Sequence, residues 1–465
     1  MSRWWWALLG LGLSACGVNR VDLGGRDASA DLHDRSEADV GPDVLEGPDG
    51  SPSDGGVTPM VQCGALGEFA GVHDTVRVSR ERAPSVILGA RTIVAHASNT
   101  RGGQTMQLVG GQLWWSESLD GCRENWWGIR TWRFPLDPDL QGMDNGVCEP
   151  ASVRGGLISS IAYNGNAIGL CYSTHARVLG QNDAGMDVWG GVEVICGKVS
   201  TPGQFMETVR GLPYVEELLI GSRGGDIALP QFFAVMASRE RQRVTQRFDA
   251  EMRPQGEPVP FGGPEYRNSS AVVVWDELWV AGGLWSEFYQ PGPERPNGEI
   301  VRLRALDAQP IGRLAAPRSL FGETVPRHIN MARNGAGVVM AISRPPERAG
   351  GDNAVEFAAV CPDGSFGRAT VARDLDLWAL NVVSFNNGWV VLARSQARQS
   401  GLIQLWLYVL DPSGALRGSP TLVDDNAGHY ALLARGAERD DLWVLTQSGS
   451  KVSGLDYVLR HVWVR

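Results

Sequence analysis

The sequence predicts an all-β fold, a seven-bladed β-propeller of four-stranded antiparallel blades closed by an N-terminal strand. Three observations carry this. A tight turn leading into an apolar strand recurs at intervals of roughly 50 to 60 residues, the spacing of one blade. A second turn signal falls midway between these, and the two ends of the chain each leave a strand that needs a partner.

The first turn signal is seen as Gly110-Gly111-Gln112 before Leu113-Trp114-Trp115, Asn164-Gly165-Asn166 before Ile168-Gly169-Leu170, and Asp276-Glu277 before Leu278-Trp279-Val280. It returns at Gly335-Ala336-Gly337, Asn386-Asn387-Gly388 and Asp440-Asp441, with a weaker copy at Gly224-Gly225-Asp226. The second signal is Leu136-Asp137-Pro138, Phe248-Asp249-Ala250, Leu306-Asp307-Ala308 and Leu410-Asp411-Pro412, with Cys361-Pro362-Asp363-Gly364 as a variant. Asp and Pro at these places end a strand and open a turn. Each unit therefore reads strand A, short turn, strand B, long loop, strand C, short turn, strand D.

The last unit stops after its third strand, Tyr457 to Val464, while the strand Arg91 to Ala97 precedes the first unit. Pairing the two completes the last blade and covers edges that would otherwise recruit another chain. Six or eight blades are also compatible, because the unit around Leu218 to Phe248 is weakly marked.

In such a meander the A-B and C-D turns lie at one end, and the B-C and D-A connections at the other. The A-B turns are short. Long stretches are expected as B-C loops (116–128, 174–188, 284–299, 343–354) and as D-A loops (143–157, 201–214, 258–269, 313–328), which puts the variable length on one face. Loops carry binding more often than scaffolds do. Trp114, Trp279, Trp389 and Trp443 recur in phase on strand B, as residues packing blade against blade would.

The formal charge of -10 argues against a nucleic-acid partner, which needs a basic stripe. Most of that charge lies in residues 17–60, where Asp22, Asp27, Asp31, Asp34, Glu37, Asp39, Asp43, Glu46, Asp49 and Asp54 face only Arg20, Arg26 and Arg35. Rich also in Gly, Pro and Ser, this stretch buries too little apolar surface to offset chain entropy, so it is expected to be a disordered tether.

Before the tether, Arg3 precedes an apolar run from Trp4 to Leu13 and then Leu13-Ser14-Ala15-Cys16. The run is too short for a transmembrane helix and suits a secretory signal. The tetrapeptide resembles the lipobox of bacterial lipoproteins. That resemblance implies a signal peptide over 1–15, lipidation of Cys16, a tether over 16–60 and a propeller domain over 61–465. It also implies a membrane partner reached through the lipid anchor, at the bacterial cell envelope. Gly17 after the cysteine fits the outer membrane. A second resemblance is local: Leu278-Trp279-Val280-Ala281-Gly282-Gly283 is similar to a kelch repeat, and only this unit shows it.

Six cysteines remain in an oxidising compartment, which favours three disulfides. Cys122 and Cys148 sit in long loops of one unit. Cys171 and Cys196 stand at matching distances along antiparallel strands B and C, so they should lie side by side. Cys63 and Cys361 are left as a pair.

The sequence shows no HExxH, GxSxG, P-loop or histidine cluster at metal spacing, so no cofactor and no metal is expected. Candidates for a binding face are the loop aromatics Trp126, Trp127, Trp285, Phe288 and Tyr289, with His328 and His429 near the starts of strand A, where side chains line a propeller's channel. For the aromatics a packing role within their own loops competes with this, and for each histidine an isolated, hydrogen-bonded position does. The leading expectation is a monomeric, non-enzymatic binding or scaffold module for an envelope protein or glycan. The competing one is a polysaccharide hydrolase or lyase using carboxylates such as Asp183, Asp187, Asp352 or Asp424.

Overall fold

The computed structural model describes residues 71–465 apart from connecting stretches at 98–101, 110–111, 124–125, 136–144, 151–158, 174–176, 182–186, 191–192, 200–204, 213–216, 224–228, 239–240, 287–288, 293–294, 315–317, 335–336, 347–349, 386–387, 437–439 and 451–453. The signal and tether expected over 1–60, with Cys16 and Cys63, lie outside the described residues.

The described chain is all-β apart from one short helix. It opens with β1 (Gly71–Val76) and β2 (Val86–Ala97), then runs through four-stranded antiparallel sheets in chain order. The first sheet is β3 (Gly102–Val109), β4 (Gln112–Arg123), β5 (Trp126–Pro135) and β6 (Asn145–Pro150). The second is β7 (Ser159–Tyr163), β8 (Ile168–Ser173), β11 (Val194–Val199) and β12 (Phe205–Leu212), with a hairpin of β9 (Arg177–Gln181) and β10 (Asp187–Gly190) inserted between its middle strands. The third comprises β13 (Glu217–Ser222), β14 (Phe232–Ser238), β15 (Arg241–Phe248) and β16 (Val259–Gly262). The fourth comprises β17 (Tyr266–Val274), β18 (Glu277–Leu284), β19 (Gly298–Arg304) and β20 (Pro310–Leu314), followed by the helix α1 (Arg318–Phe321). The fifth is β21 (His328–Asn334), β22 (Gly337–Arg344), β23 (Asn353–Val360) and β24 (Phe366–Asp374), with β1 added as a fifth, parallel strand beside β24. The sixth is β25 (Trp378–Phe385), β26 (Gly388–Gln396), β27 (Ile403–Leu410) and β28 (Thr421–Asp424). The last is β29 (Ala427–Arg435), β30 (Asp441–Ser450) and β31 (Gly454–Val464), and its fourth strand is β2, from Val86 opposite Val464 to Ala97 opposite Leu455. The partner expected for the C-terminal strand is therefore present, with a start earlier than Arg91.

The first strand of each sheet touches the first strand of the next, and β29 touches β3. A first strand has one edge without a ladder partner, and short polar side chains span that gap. Ser160 Oγ accepts from the Ile220 N–H, and Ser270 Oγ from the Met331 N–H. The Asn330 amide donates to the Ala379 carbonyl and the Asn381 amide to the Leu433 carbonyl. Backbone groups that would otherwise be left unpaired are thereby satisfied.

Between neighbouring sheets the core is apolar, in a separate cluster for each pair. Trp389 packs with Val355 and Phe357 of the fifth sheet, and Trp279 with Ile329 and Val338. Trp443 meets Met106 and Leu113, and Trp114 meets Ile161 and Leu170. All four strand-B tryptophans are buried, which agrees with the in-phase reading.

Loop lengths differ from expectation. Residues 116–128 are not a loop: β4 and β5 continue as a ladder up to Arg123 opposite Trp126. Likewise 174–188 contains the β9–β10 hairpin. Three stretches read as D-A loops hold the fourth strands β6, β12 and β16, and 313–328 holds α1. β16 is only four residues, and most of β12 is exposed or half-buried, so their pattern is weak. Long connections also occur at the opposite end, from Phe248 to Val259 and from Leu410 to Thr421.

Two cysteine expectations fall within the described residues. Cys171 and Cys196 are directly opposed on β8 and β11 and form a disulfide, as their spacing predicted. Cys361 is also disulfide-bonded. The side chains of Cys122 and Cys148 lie outside the description.

The segment before the first sheet straps three later ones. β1 lies parallel to β24, Val78 bridges Leu416, and β2 completes the last sheet. Between them, Ser79 Oγ donates to Asp411 (2.6 Å) and Glu81 pairs with Arg417 (3.1 Å).

Candidate functional site

The strands β17, β21 and β25 touch in sequence and all begin at the same end of their sheets. That end carries the second-to-third and fourth-to-next connections. Their first residues bring Arg267, His328 and Trp378 to neighbouring positions, and strand geometry decides what joins them.

Trp378 is directly opposite Arg394 on β26, so the two side chains share one face of the sheet. The Arg394 guanidinium lies 4.9 Å from the centre of the Trp378 ring, and that of Arg327 lies 5.5 Å from it. The indole N–H donates to Asp376 Oδ1 at 2.7 Å, which fixes the ring's rotation. Asp376 has φ 48°, a left-handed conformation that aspartate tolerates better than most residues. Its other oxygen is 3.9 Å from Arg394. Burial depresses the Arg394 pKa despite the opposing pull of Asp376.

His328 is opposite Ser343 on β22. Burial first, and then the Arg394 charge, push its pKa down to about 4. Its imidazole is therefore neutral at neutral pH and offers one N–H donor and one acceptor.

A buried clamp holds the approach to this cluster. The helix α1 ends at Gly322, whose φ of 64° suits a helix C-terminus. Arg344 Nη2 donates to the Leu320 carbonyl at 2.9 Å, Nη1 to those of Phe321 and, at 3.1 Å, Thr324, while Arg368 adds a 3.2 Å bond to Leu320. Glu356 Oε2 balances both arginines, at 2.5 Å from Arg344 Nε and 3.5 Å from Arg368 Nε. The next stretch crosses the end of β18, where the Pro326 carbonyl would stand 2.8 Å from a Cβ at Gly283. A side chain there would push it away. The Arg327 N–H then donates to the Ser343 carbonyl, and β21 begins.

No protein-family model matches the chain, and no curated protein matches it. Solved structures do resemble it. The polysaccharide lyase Uly1 aligns with a TM-score of 0.48 and 8% identity, over 85% of this chain and 96% of that one. A protein of unknown function from Dyadobacter fermentans aligns with a TM-score of 0.47 and 10% identity, over 82% and 99%. The sialidase of Trypanosoma rangeli in complex with sialic acid gives 0.39 and 11%, over 85% of this chain and 60% of that one.

Of the residues proposed from sequence, His328 belongs to the cluster, and the other described side chains lie elsewhere. Trp285 is buried, not exposed: Arg267 stacks on its ring at 4.2 Å and its backbone N–H donates to the Glu265 carbonyl. Tyr289 folds back toward Trp285 by a backbone bond and carries Arg295 at 5.7 Å. Both pack their own loop. Trp126 and Trp127 start the paired strand β5 instead of lying in a loop, and His429 lies on β29; the side chains of all three are outside the description. Phe288 is outside the described residues, as is Asp183. Asp187 lies on β10, its side chain not described. Asp352 pairs with Arg398 on an exposed surface. Asp424 is buried, 3.3 Å from Arg91, and also accepts from the Asn426 N–H. Among the described residues no group of three or more His, Cys, Asp or Glu is placed to hold a metal ion.

Arg327, Trp378, Arg394 and Asp376 were missed. The signal for one pair was available: Trp378 and Arg394 stand almost symmetrically about the Asn386-Asn387 turn, offset by one bulge residue between Ala379 and Asn381.

Proposed function

We propose that the chain is a lipid-anchored, closed seven-bladed β-propeller that binds a protein or glycan at the bacterial cell envelope without chemically changing it. The pairing of β2 with β31 and the contact of β29 with β3 support closure. The Leu13–Cys16 signature and the acidic tether support the anchor. In a membrane fractionation, the wild-type chain is expected with the membranes and a Cys16→Ala chain in the soluble fraction; equal partition of both would remove the anchor from this reading.

The observation that carries the binding function is the Trp378 ring with two guanidiniums against it, beside a neutral histidine. Arginine presents planar donor forks that match the paired oxygens of carboxylate, sulfate or phosphate, and stacking on an indole pre-orders them. Such ordering lowers the entropy cost of binding. Asp352 and Asp424, the described carboxylates among the enzymatic candidates, are each held in an ion pair with arginine.

The test is a glycan array run beside a polysaccharide digestion panel on the full chain. Binding without shortened products is expected, with affinity falling about tenfold in Trp378→Ala, the equivalent of one stacking interaction with its dependent contacts. Release of oligosaccharides by the wild-type chain would overturn this reading in favour of a hydrolase or lyase.

A further inference from the structure

The chemistry of the same cluster narrows the ligand, and the inference rests on the binding reading above. We infer that Arg327, Arg394 and His328 form a receptor for an anionic group of a glycan, a carboxylate or a sulfate, and that occupancy draws a proton onto His328.

Arg327 and Arg394 both lie against one ring, and Asp376, the acid paired with Arg394, spends one oxygen on the indole N–H and stands 3.9 Å from Arg394 with the other. Arg394 is held in place by the ladder and by Trp378, with its side chain 12% exposed, so it cannot swing out to be solvated. Arg327 is exposed, with its guanidinium 5.5 Å from the centre of the same ring. Both guanidiniums donate and neither accepts, so the ligand must supply acceptor oxygens. Trp378 is already covered by arginine, which makes its role the alignment of donors and not stacking on a sugar face.

The proton follows from linkage. The charged groups at this end include Arg327 beside His328 in the chain, Arg394 on β26, Asp376 before β25, Glu265 and Arg267 at the start of β17, Glu323 before β21, Glu356 with its two arginines Arg344 and Arg368, and Asp352 and Asp374, which both face Arg398. Arg394 opposes protonation of His328 in the free protein. An anion seated between the arginines cancels that field, and the imidazolium then gains a partner of opposite charge. The sign is fixed: the ligand binds the protonated form better, so affinity rises as pH falls, until the ligand's own acid begins to titrate. A sulfate stays ionised throughout and a carboxylate does not, which separates the two sources.

The probes are a uronic-acid oligosaccharide, a sulfated oligosaccharide and a neutral one of equal length, titrated calorimetrically against the full chain in two buffers of different ionisation heat. Both anionic probes are expected to bind, with proton uptake between about pH 7.5 and about pH 5. Arg327→Gln, at an exposed position, is expected to weaken binding about ten- to hundredfold, as for loss of a charge-assisted hydrogen bond. His328→Gln is expected to abolish the proton uptake. If the neutral probe alone binds, and Trp378→Ala weakens it, the anion inference fails while the binding module stands. If no probe and no array glycan binds, both fail. Anion binding with proton uptake unchanged in His328→Gln overturns the linkage.

Discussion

Replacing Glu356 with glutamine is expected to lower the unfolding free energy by about 3–5 kcal/mol, the range for breaking a buried ion pair from one side. The side chain of Glu356 is 6% exposed and lies against Arg344 and Arg368, at 8% and 9%. Removing its charge leaves two guanidiniums in an interior where they cannot be rehydrated. Burial already depresses the Arg368 pKa more than Glu356 restores it. Arg344→Met is not a neutral counterpart, because the Phe321 and Thr324 carbonyls would lose their arginine donor and Leu320 one of its two. Urea denaturation reads the effect; a change below about 1 kcal/mol would mean that the arginines are stabilised chiefly by the carbonyls. The clamp fixes the stretch that delivers Arg327 and His328, so the same substitution should weaken ligand binding even at temperatures where the fold survives.

A loss of similar size, about 3–5 kcal/mol, is expected for Trp389→Ala. Trp389 is fully buried and its ring lies 5.6 Å from that of Phe357, across the boundary between the fifth and sixth sheets. The cavity would be lined by Val355, Val391 and Leu410, which belong to rigid ladders and have little freedom to collapse into it. Thermal unfolding should remain a single transition at lower temperature if the sheets unfold together; a split transition would show that this boundary is where cooperativity ends. Val78→Ser, at a position 72% exposed, is the control and should stay within about 0.5 kcal/mol.

Much of the fold was legible because turns and tryptophans repeat. Asn386-Asn387-Gly388 followed by Trp389 and Asp440-Asp441 followed by Trp443 mark the same place in two sheets, and both behave alike. The fourth strands were less legible: β16 and β28 are four residues each, too short for a period to register. The site was harder still. His328 stood out as a histidine at a strand start, but Trp378 and Arg394 acquire meaning only through register across a bulged hairpin. Arg327 owes its position to the clamp on α1, whose members Arg344, Glu356 and Arg368 come from three different strands. For Trp285 the competing reading, packing within its own loop, is the one the structure shows, while the arginine that covers it, Arg267, was not legible.

The strap formed by β1 and β2 also has a consequence in time. It is made before any sheet, yet its partners β24, Leu416 and β31 are among the later parts of the chain, with Ser79 and Asp411 separated by 332 residues. Closing so large a loop is entropically costly, and such contacts form late. The first described segment to leave the ribosome is therefore among the last to find its place. Until then the outer edges of β24 and β31 stand open as templates for strand addition, with Ile87 and Ile93 waiting among the unpaired residues. The chain must be kept from its neighbours until its own beginning returns to cover its end.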